Sequence, residues 1–499
     1  MPAPLSTPVP NHPLIAGANP DRLLDCLFVN APLRNYDRRP RVNDYTLPVL
    51  GMGYIATVAH LAGLNVGVLD AEAHGLGIQR TAEIINRLRP RWVACNLLAP
   101  TYDLTARIAA ALDPSILVMV GGHHAKAAPT TILRDKRFHN VAALIIGEGE
   151  TRATEILRDV HSRQDLPQVA WRDAGQKHPK YSIVHGETRP WLAPDINELP
   201  FVDRRFLPQD PYRADDGRIE ANLVCSRGCP YECTFCGAAQ SMNKDVTIRT
   251  RDPHNIIAEM DQLHEQHGVT AFRAVDDLFL GARRVIHPAL KAFADARVGE
   301  RYVWDATGRI NILDREDDGV LNALRDNGLR EVALGIESGA PRILTAMDKR
   351  ITPEMTLSVT SRLLQHGVNA KGYFILGYPG ETREEAEQTL RHIRDLWAVS
   401  DRSPGTFRAS AFVFRPYPGS PIFNDLVRQG YDPAAMQSYS DVDLTEHGAN
   451  ESMRQRDEFN FTTGQQFGEV ALDDLNRMLA DISREQHERT LHARQEVSA

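Results

Sequence analysis

Asn222-Leu-Val-Cys225-Ser-Arg-Gly228-Cys229-Pro-Tyr-Glu-Cys233-Thr-Phe-Cys236-Gly237 is the stretch whose reading decides the rest. Cys229, Cys233 and Cys236 stand at C-x3-C-x2-C spacing, and a loop of that span can fold its thiolates onto three irons of one cubane cluster. Clusters of the electron-transfer kind are held by four cysteines. Three therefore leave one iron for a ligand that is not protein. The plainer reading is a structural zinc site, which takes four ligands, usually as two separated pairs. Cys225 could supply a fourth thiolate, but no second C-x2-C pair follows. Cys225 reads instead as a small buried residue at a strand end, because a fourth thiolate on the cluster would close the open iron.

Downstream of this loop, strand and helix alternate. Pro253 to His264 carries Ile256, Ile257, Met260 and Leu263 at helical spacing. Strands begin near Ala271, Tyr302, Glu331, Gly372 and Phe407. With the apolar run before the cysteines they make six, at intervals of roughly 30 to 50 residues, an alternation of strand and helix that suits a partial barrel or a second open parallel sheet. Barrel chemistry sits at the carboxyl ends of strands, and polar residues gather there: Asp276, Asp277, Arg309 and Glu337, with Gly377 to Glu381 after the fifth strand. A carboxylate suits an ammonium or a ribose hydroxyl, and arginine suits a carboxylate. The alternative for Asp277 and Glu337 is that they only cap the helices that follow.

Upstream, apolar runs at Asp25–Asn30, Asn65–Asp70, Trp92–Leu98, Ile116–Val120 and Ala142–Ile146 alternate with helical periodicity at Gly51–Gly63 and Thr81–Leu88. That is the pattern of a doubly wound parallel sheet. Such sheets bind ligands in the loops at their carboxyl ends, here Asn30-Ala-Pro32, Leu97 to Thr101, Gly121-Gly122-His123-His124 and Gly147-Glu148-Gly149-Glu150. Paired glycines let the backbone come close to a flat ligand.

The Arg-Gly-Cys-Pro-Tyr-x-Cys-x-Phe-Cys loop directly after a strand resembles the cluster loop of radical S-adenosylmethionine (radical SAM) enzymes. In particular it resembles the branch with an N-terminal cobalamin-binding domain, over roughly residues 22 to 425. The resemblance implies an α/β chain: a Rossmann-like cobalamin-binding domain, a partial (β/α)6 barrel and a small helical C-terminal region. It implies a [4Fe-4S] cluster on the catalytic cysteines Cys229, Cys233 and Cys236, with SAM on the open iron. SAM contacts would be Phe235, with Asp276 and Asp277 near the amino group, Arg309 and Glu337 near the carboxylate and ribose, and Gly377 near the adenine. Cobalamin contacts would be Asn30, Pro32, Leu97, Thr101, Gly121, Gly122, His123, Gly147, Glu148 and Gly149. Asp70-Ala-Glu-Ala-His74-Gly75 departs from the Asp-x-His-x-x-Gly signature in spacing and place, so cobalt is expected without a protein imidazole.

The activity implied is methyl transfer from SAM, by way of cobalamin, to an unactivated carbon or phosphorus of a small molecule, as in natural-product biosynthesis. An electron donor such as flavodoxin or ferredoxin would supply the cluster. The runner-up keeps the cofactors but cyclises or rearranges its substrate, and a non-enzyme reading is a cobalamin-binding or zinc-stabilised sensor. A tRNA methylthiotransferase would need an N-terminal cysteine triplet, and only Cys26 and Cys95 lie there.

Composition sets the outer limits. At 499 residues and 42% hydrophobic content the chain suits two or three globular domains. A net charge of −8 speaks against nucleic acid gripped through its phosphates. Six cysteines in no disulfide-like framework point to a reducing cytoplasm. The proline-rich start lacks the pattern of a signal peptide, and no apolar run is long enough to span a membrane. The expected division is a loose tail over 1–20, the cobalamin domain over 21–160, a linker over 161–215, the barrel over 216–430 and a helical region over 431–499. In the last, Phe467, Val470, Leu475, Met478 and Ile482 form a stripe that most simply docks on its own core.

Overall fold

The computed structural model describes residues 12–38, 40–41, 46–172, 180–181, 193–214, 216–239, 249–439 and 463–498. Most of the expected tail, with 173–179 and 182–192 of the expected linker, lies outside them.

The first sheet is built from short apolar runs. They are β1 (Cys26–Asn30), β2 (Val66–Asp70), β3 (Trp92–Asn96), β4 (Leu117–Gly121) and β5 (Val141–Ile145), all parallel. With β6 (Val169–Trp171) and β7 (Lys180–Tyr181) added antiparallel, the order is β2-β1-β3-β4-β5-β6-β7. Both faces are covered, which is why these strands read as continuous apolar runs. On one face α1 (Leu50–Leu61) packs Met52, Ala56 and Ala59 against the sheet. On the other lie α2 (Ile78–Leu88), α3 (Tyr102–Ala110) and the short α4 (His123–Ala127) and α5 (Pro129–Arg134). The helix α6 (Glu150–Arg158) returns to the face of α1. The order in which strands are added reverses between β1 and β3, the point at which such sheets open a crevice.

The expected linker does more than cross between domains. It contributes β6 and β7 to the first sheet and β8 (Tyr212–Arg213) to the second. Strands of two or three residues show no periodicity, so composition alone marks them as connection.

The second sheet takes the order β16-β15-β14-β13-β12-β9-β8. Six strands run parallel: β9 (Ile219–Leu223), β12 (Ala271–Ala274), β13 (Val303–Gly308), β14 (Leu329–Glu337), β15 (Asn369–Leu376) and β16 (Phe407–Val413). The two-residue strands β10 (Ser226–Arg227) and β11 (Arg249–Thr250) form a separate antiparallel ladder. The sheet is a curled half-barrel, with α7 (Pro253–His267), α8 (Arg283–Asp295), α9 (Val298–Arg301), α10 (Ile310–Leu313), α11 (Asp318–Asp326), α12 (Pro341–Ala346), α13 (Pro353–Gln365), α14 (Arg383–Ser400) and α15 (Pro421–Arg428) between and after its strands.

Alternate strand residues divide between two environments. Ala221, Phe272, Trp304, Val332, Leu334 and Phe374 face outward into the core beneath these helices. The residues between them face inward and are charged: Arg273 pairs with Asp305 at 3.0 Å, Arg330 with Glu220 at 2.8 Å and Arg408 with Glu331 at 3.0 Å. Buried ions are tolerated only when paired. The inner face is therefore a polar trough and not a second apolar core.

The C-terminal stripe docks on this domain, as the simpler reading expects. Val470, Leu475 and Ile482 join the barrel core. The helix Leu472–Ser498 is pinned along α14, with Arg394 2.6 Å from Glu485 and Trp397 Nε1 donating to Gln486 Oε1 at 3.0 Å. Among the described residues no helix is long and apolar enough to cross a membrane.

Candidate functional site

The cysteine loop leaves the end of β9 and is gathered at its base by the ladder of β10 with β11. Two aspartates after β12 fasten its first residues. Asp276 Oδ1 accepts from Cys225 N at 2.8 Å and its Oδ2 from Ser226 Oγ at 3.2 Å, while Asp277 Oδ2 accepts from Gly228 N at 3.2 Å. Asp276 is expected at the SAM amino group. The structure turns its carboxylate inward, where burial raises it to about 7. Asp277 remains exposed at the mouth.

Cys233 is buried, and Cys229 and Cys236 are half-buried. Burial pushes the Cys236 thiol to about 12 and raises that of Cys229, and both feel the charge of Cys233, so the three lie within electrostatic reach of one another. Two cations oppose this rise: Arg309 acts on Cys229 and Lys349 on Cys236. Arg309 Nη1 is 3.6 Å from Cys233 Sγ, and its Cζ lies 3.4 Å from the centre of the Tyr231 ring. Buried thiols beside two buried cations are the charge balance that a set of metal-bound thiolates needs, and the donor set fits an iron–sulfur cluster. Among the described residues no three His, Cys, Asp or Glu side chains draw together tightly enough for a single ion. A cubane asks something different, one thiolate at each of three separate corners.

Glu337 closes the far side. Its Oε1 lies 2.7 Å from Lys349 Nζ, and its own backbone takes φ 68° at a bulge where β14 slips against β15. A non-glycine residue there is uncommon. Gly335 explains how the pair fits, because a Cβ at that position would come within 2.4 Å of both Glu337 Oε1 and Lys349 Nζ. The Phe235 ring lies 5.8 Å from Lys349 Nζ. Gly377, at φ 76°, donates its N–H to Glu381 Oε2 at 2.5 Å. The expected SAM contacts are thus gathered around the cysteine loop, although Asp276, Arg309 and Glu337 already hold protein partners.

The expected cobalamin contacts line the carboxyl edge of the first sheet. Asn30 Nδ2 donates to Asp70 Oδ1 at 2.8 Å, Leu97 N to the Gly121 carbonyl at 2.8 Å, and Pro32 and Thr101 are buried beside them. Gly121 leaves a clear face, since a Cβ there would meet only the Ile145 carbonyl at 3.8 Å. Gly122 and Gly147 take φ 94° and 92°, and a Cβ on Gly122 would come within 2.0 Å of Asn96 Oδ1. Gly121 thus gives this edge open backbone that a flat ligand could approach, whereas Gly122 lets the loop pack on Asn96 and Leu97. Gly149 lies against Ile55, and His123 is exposed at the start of α4.

Glu148 has a different partner from the one expected. Its carboxylate pairs with Arg227 at 2.8 Å and with Arg249, while Glu150 takes the other Arg227 nitrogen at 2.7 Å. The Arg227 guanidinium also lies over the Tyr54 ring, 5.2 Å from its centre. The loop after β5 and the base of the cysteine loop are therefore bolted together, so the carboxyl ends of the two sheets meet. Sequence reasoning quotes Arg227 and Tyr231 as members of the loop motif but gives them no role, and it misses Lys349. Lysine is scarce here, with eight against 49 arginines, and that scarcity is the one signal that could single out Lys349.

Comparison with known proteins adds to this geometry. The Radical SAM superfamily pattern matches residues 223–393, and the B12 binding domain pattern matches residues 42–157. The chain is 29% identical over 387 residues to an uncharacterized methyltransferase of Pyrococcus horikoshii, covering 77% of this chain and 79% of that one. It is 26% identical over 443 residues to the cytidylyl-2-hydroxyethylphosphonate methyltransferase of Streptomyces wedmorensis, again covering 77% and 79%. The structure of the radical S-adenosylmethionine methyltransferase TsrM from Kitasatospora setae, with tryptophan substrate and the SAM analogue aza-SAM, aligns at a TM-score of 0.62. That alignment has 15% identity and covers 92% of this chain and 88% of that one, which speaks to the fold.

Proposed function

We propose that this chain, which belongs to the radical SAM superfamily in the branch that carries a B12-binding domain, is a methyltransferase acting on an unactivated carbon or phosphorus of a small molecule. The observation that carries the reading is the Arg227 junction, which sets the three-cysteine loop against the glycine-lined edge of the first sheet. When bound, the cluster with SAM supplies radical chemistry and the corrin supplies the methyl group. The chain's part is to hold and to shelter. Cys229, Cys233 and Cys236 hold the cluster, and Arg309 and Lys349 offset their charge. Asp277, Phe235 and Gly377 line the SAM side, and Asn30, Leu97, Thr101, Gly121 and Gly147 line the corrin side. The charged trough leaves polar groups inside the half-barrel to orient a small molecule.

Support for methylation comes from the methyltransferases among the relatives. An electron donor of the flavodoxin or ferredoxin kind, a cytoplasmic setting and a substrate other than nucleic acid complete the proposal. The test is anaerobic reconstitution with iron, sulfide, cobalamin and methyl-labelled SAM, supplied with compounds made by the products of neighbouring genes. Label in a product, together with 5'-deoxyadenosine, is the expected result. Cleavage of SAM with an unlabelled, rearranged product would favour the cyclase reading, and a colourless protein holding zinc would overturn both.

A further inference from the structure

The resemblance places Arg309 near the SAM carboxylate, yet its guanidinium is occupied by the chain that bears the cysteines. Nη1 donates to Cys233 Sγ at 3.6 Å, Nη2 to the Lys349 carbonyl at 2.7 Å and Nε to Asn311 Oδ1 at 3.1 Å. One face is covered by Tyr231, two residues before Cys233, and the residue is 6% exposed. Each nitrogen thus has a fixed partner and one side of the plane is shut to water. Hydrogen bonds to the sulfurs, net charge and solvent exposure set the potential of an iron–sulfur cluster. A buried cation that donates to a ligand sulfur favours the more negative, reduced state. We propose that Arg309 is a positioning residue that raises the reduction potential of the cluster through Cys233, held in place by Tyr231 and Asn311, and does not bind SAM.

The proposal rests on the functional reading only in taking the three thiols to hold a cluster. Wild type and Arg309→Gln are reconstituted anaerobically and assayed for iron and sulfide. Their midpoints are then measured by EPR-monitored redox titration without SAM, followed by SAM affinity by equilibrium binding. The expected result is a full cluster in both, a SAM Kd within about twofold, and a more negative midpoint in the variant. The loss in stabilisation of the reduced form is expected to reach tenfold or more, about 59 mV per tenfold for a one-electron couple. An unmoved midpoint with SAM binding weakened tenfold or more overturns the proposal and returns Arg309 to the SAM site. Should the variant take up no iron, pulsed EPR of the reduced wild type grown on 15N-arginine decides. Arg350 also feels the charge of Cys233, so the labelled Arg350→Gln variant serves as the control. A 15N coupling that survives in it supports Arg309, and no coupling overturns it. A wild type that binds no iron would instead sink the functional reading.

Discussion

Cys229, Cys233 and Cys236 differ from Cys26, Cys95 and Cys225 in the company they keep. The thiols of the second trio belong to apolar clusters, although Cys225 also lies near Asp276 and Arg251, whereas the first has Arg309 and Lys349 beside it. Alanine at any of the first three is expected to lower bound iron to background and SAM cleavage by roughly a hundredfold or more. Cys225→Ala is expected to keep its iron and lose roughly 1 kcal/mol of stability. Iron assay and thermal melts together check the pair. Lys349→Met leaves the Glu337 carboxylate buried without its partner, at a cost of about 3–5 kcal/mol. Denaturant unfolding of the apoprotein measures that loss, and adding Glu337→Gln is expected to recover part of it. Glu381 gives a pH signature. Burial raises its carboxyl from the ordinary 4.5 to about 7, so the folded chain keeps a proton that the unfolded chain releases. The stability linked to that proton is whole below pH 4.5 and is lost as pH rises through 7. Glu381→Gln keeps an acceptor for Gly377 N, and in paired melts it is expected to gain on wild type between pH 5 and 8. Parallel curves would show a carboxyl that is ionised throughout.

At the scale of elements the chain is legible wherever burial imposes a period. The five parallel strands of the first sheet, β1 to β5, begin and end within two residues of the apolar runs that announce them, because a strand covered on both sides is apolar through its middle. In the half-barrel the alternation of Phe272 with Arg273, Trp304 with Asp305 and Val332 with Glu331 follows from one face meeting helices and the other the trough. Pairings over long distances are not legible. Nothing near Arg227 names Glu148, 79 residues away, and nothing near Asp276 says that its carboxylate closes on Cys225 N instead of opening to a ligand. The C-terminal stripe is legible as a helix but not in its destination. A Cβ on Gly377 would come within 2.7 Å of Leu475 Cδ1, so the helix braces the loop that begins at Gly377. Leu475→Ala is expected to cost about 2–5 kcal/mol locally and to speed amide exchange in both the helix and residues 377–381. Faster exchange in the helix alone would show that the loop stands without it.

At the scale of the molecule, two arginines, Arg227 and Arg249, tie two domains whose ligands must be within reach of each other. Arg227→Gln is expected to leave iron and cobalamin contents near wild type while lowering the rate of methyl transfer roughly a hundredfold, the penalty for displacing reacting groups by about an ångström. Metal and corrin assays beside single-turnover kinetics separate the two effects, and an unchanged rate would mean the domains are held elsewhere. The neck that Ser226 and Arg227 form with Arg249 and Thr250 bears on how such a protein parts with its metal. Its pairing is made by backbone alone, so the parallel sheet behind it does not lean on whatever the thiols carry. A chelator is therefore expected to draw out the iron while the circular dichroism of the backbone stays as it was.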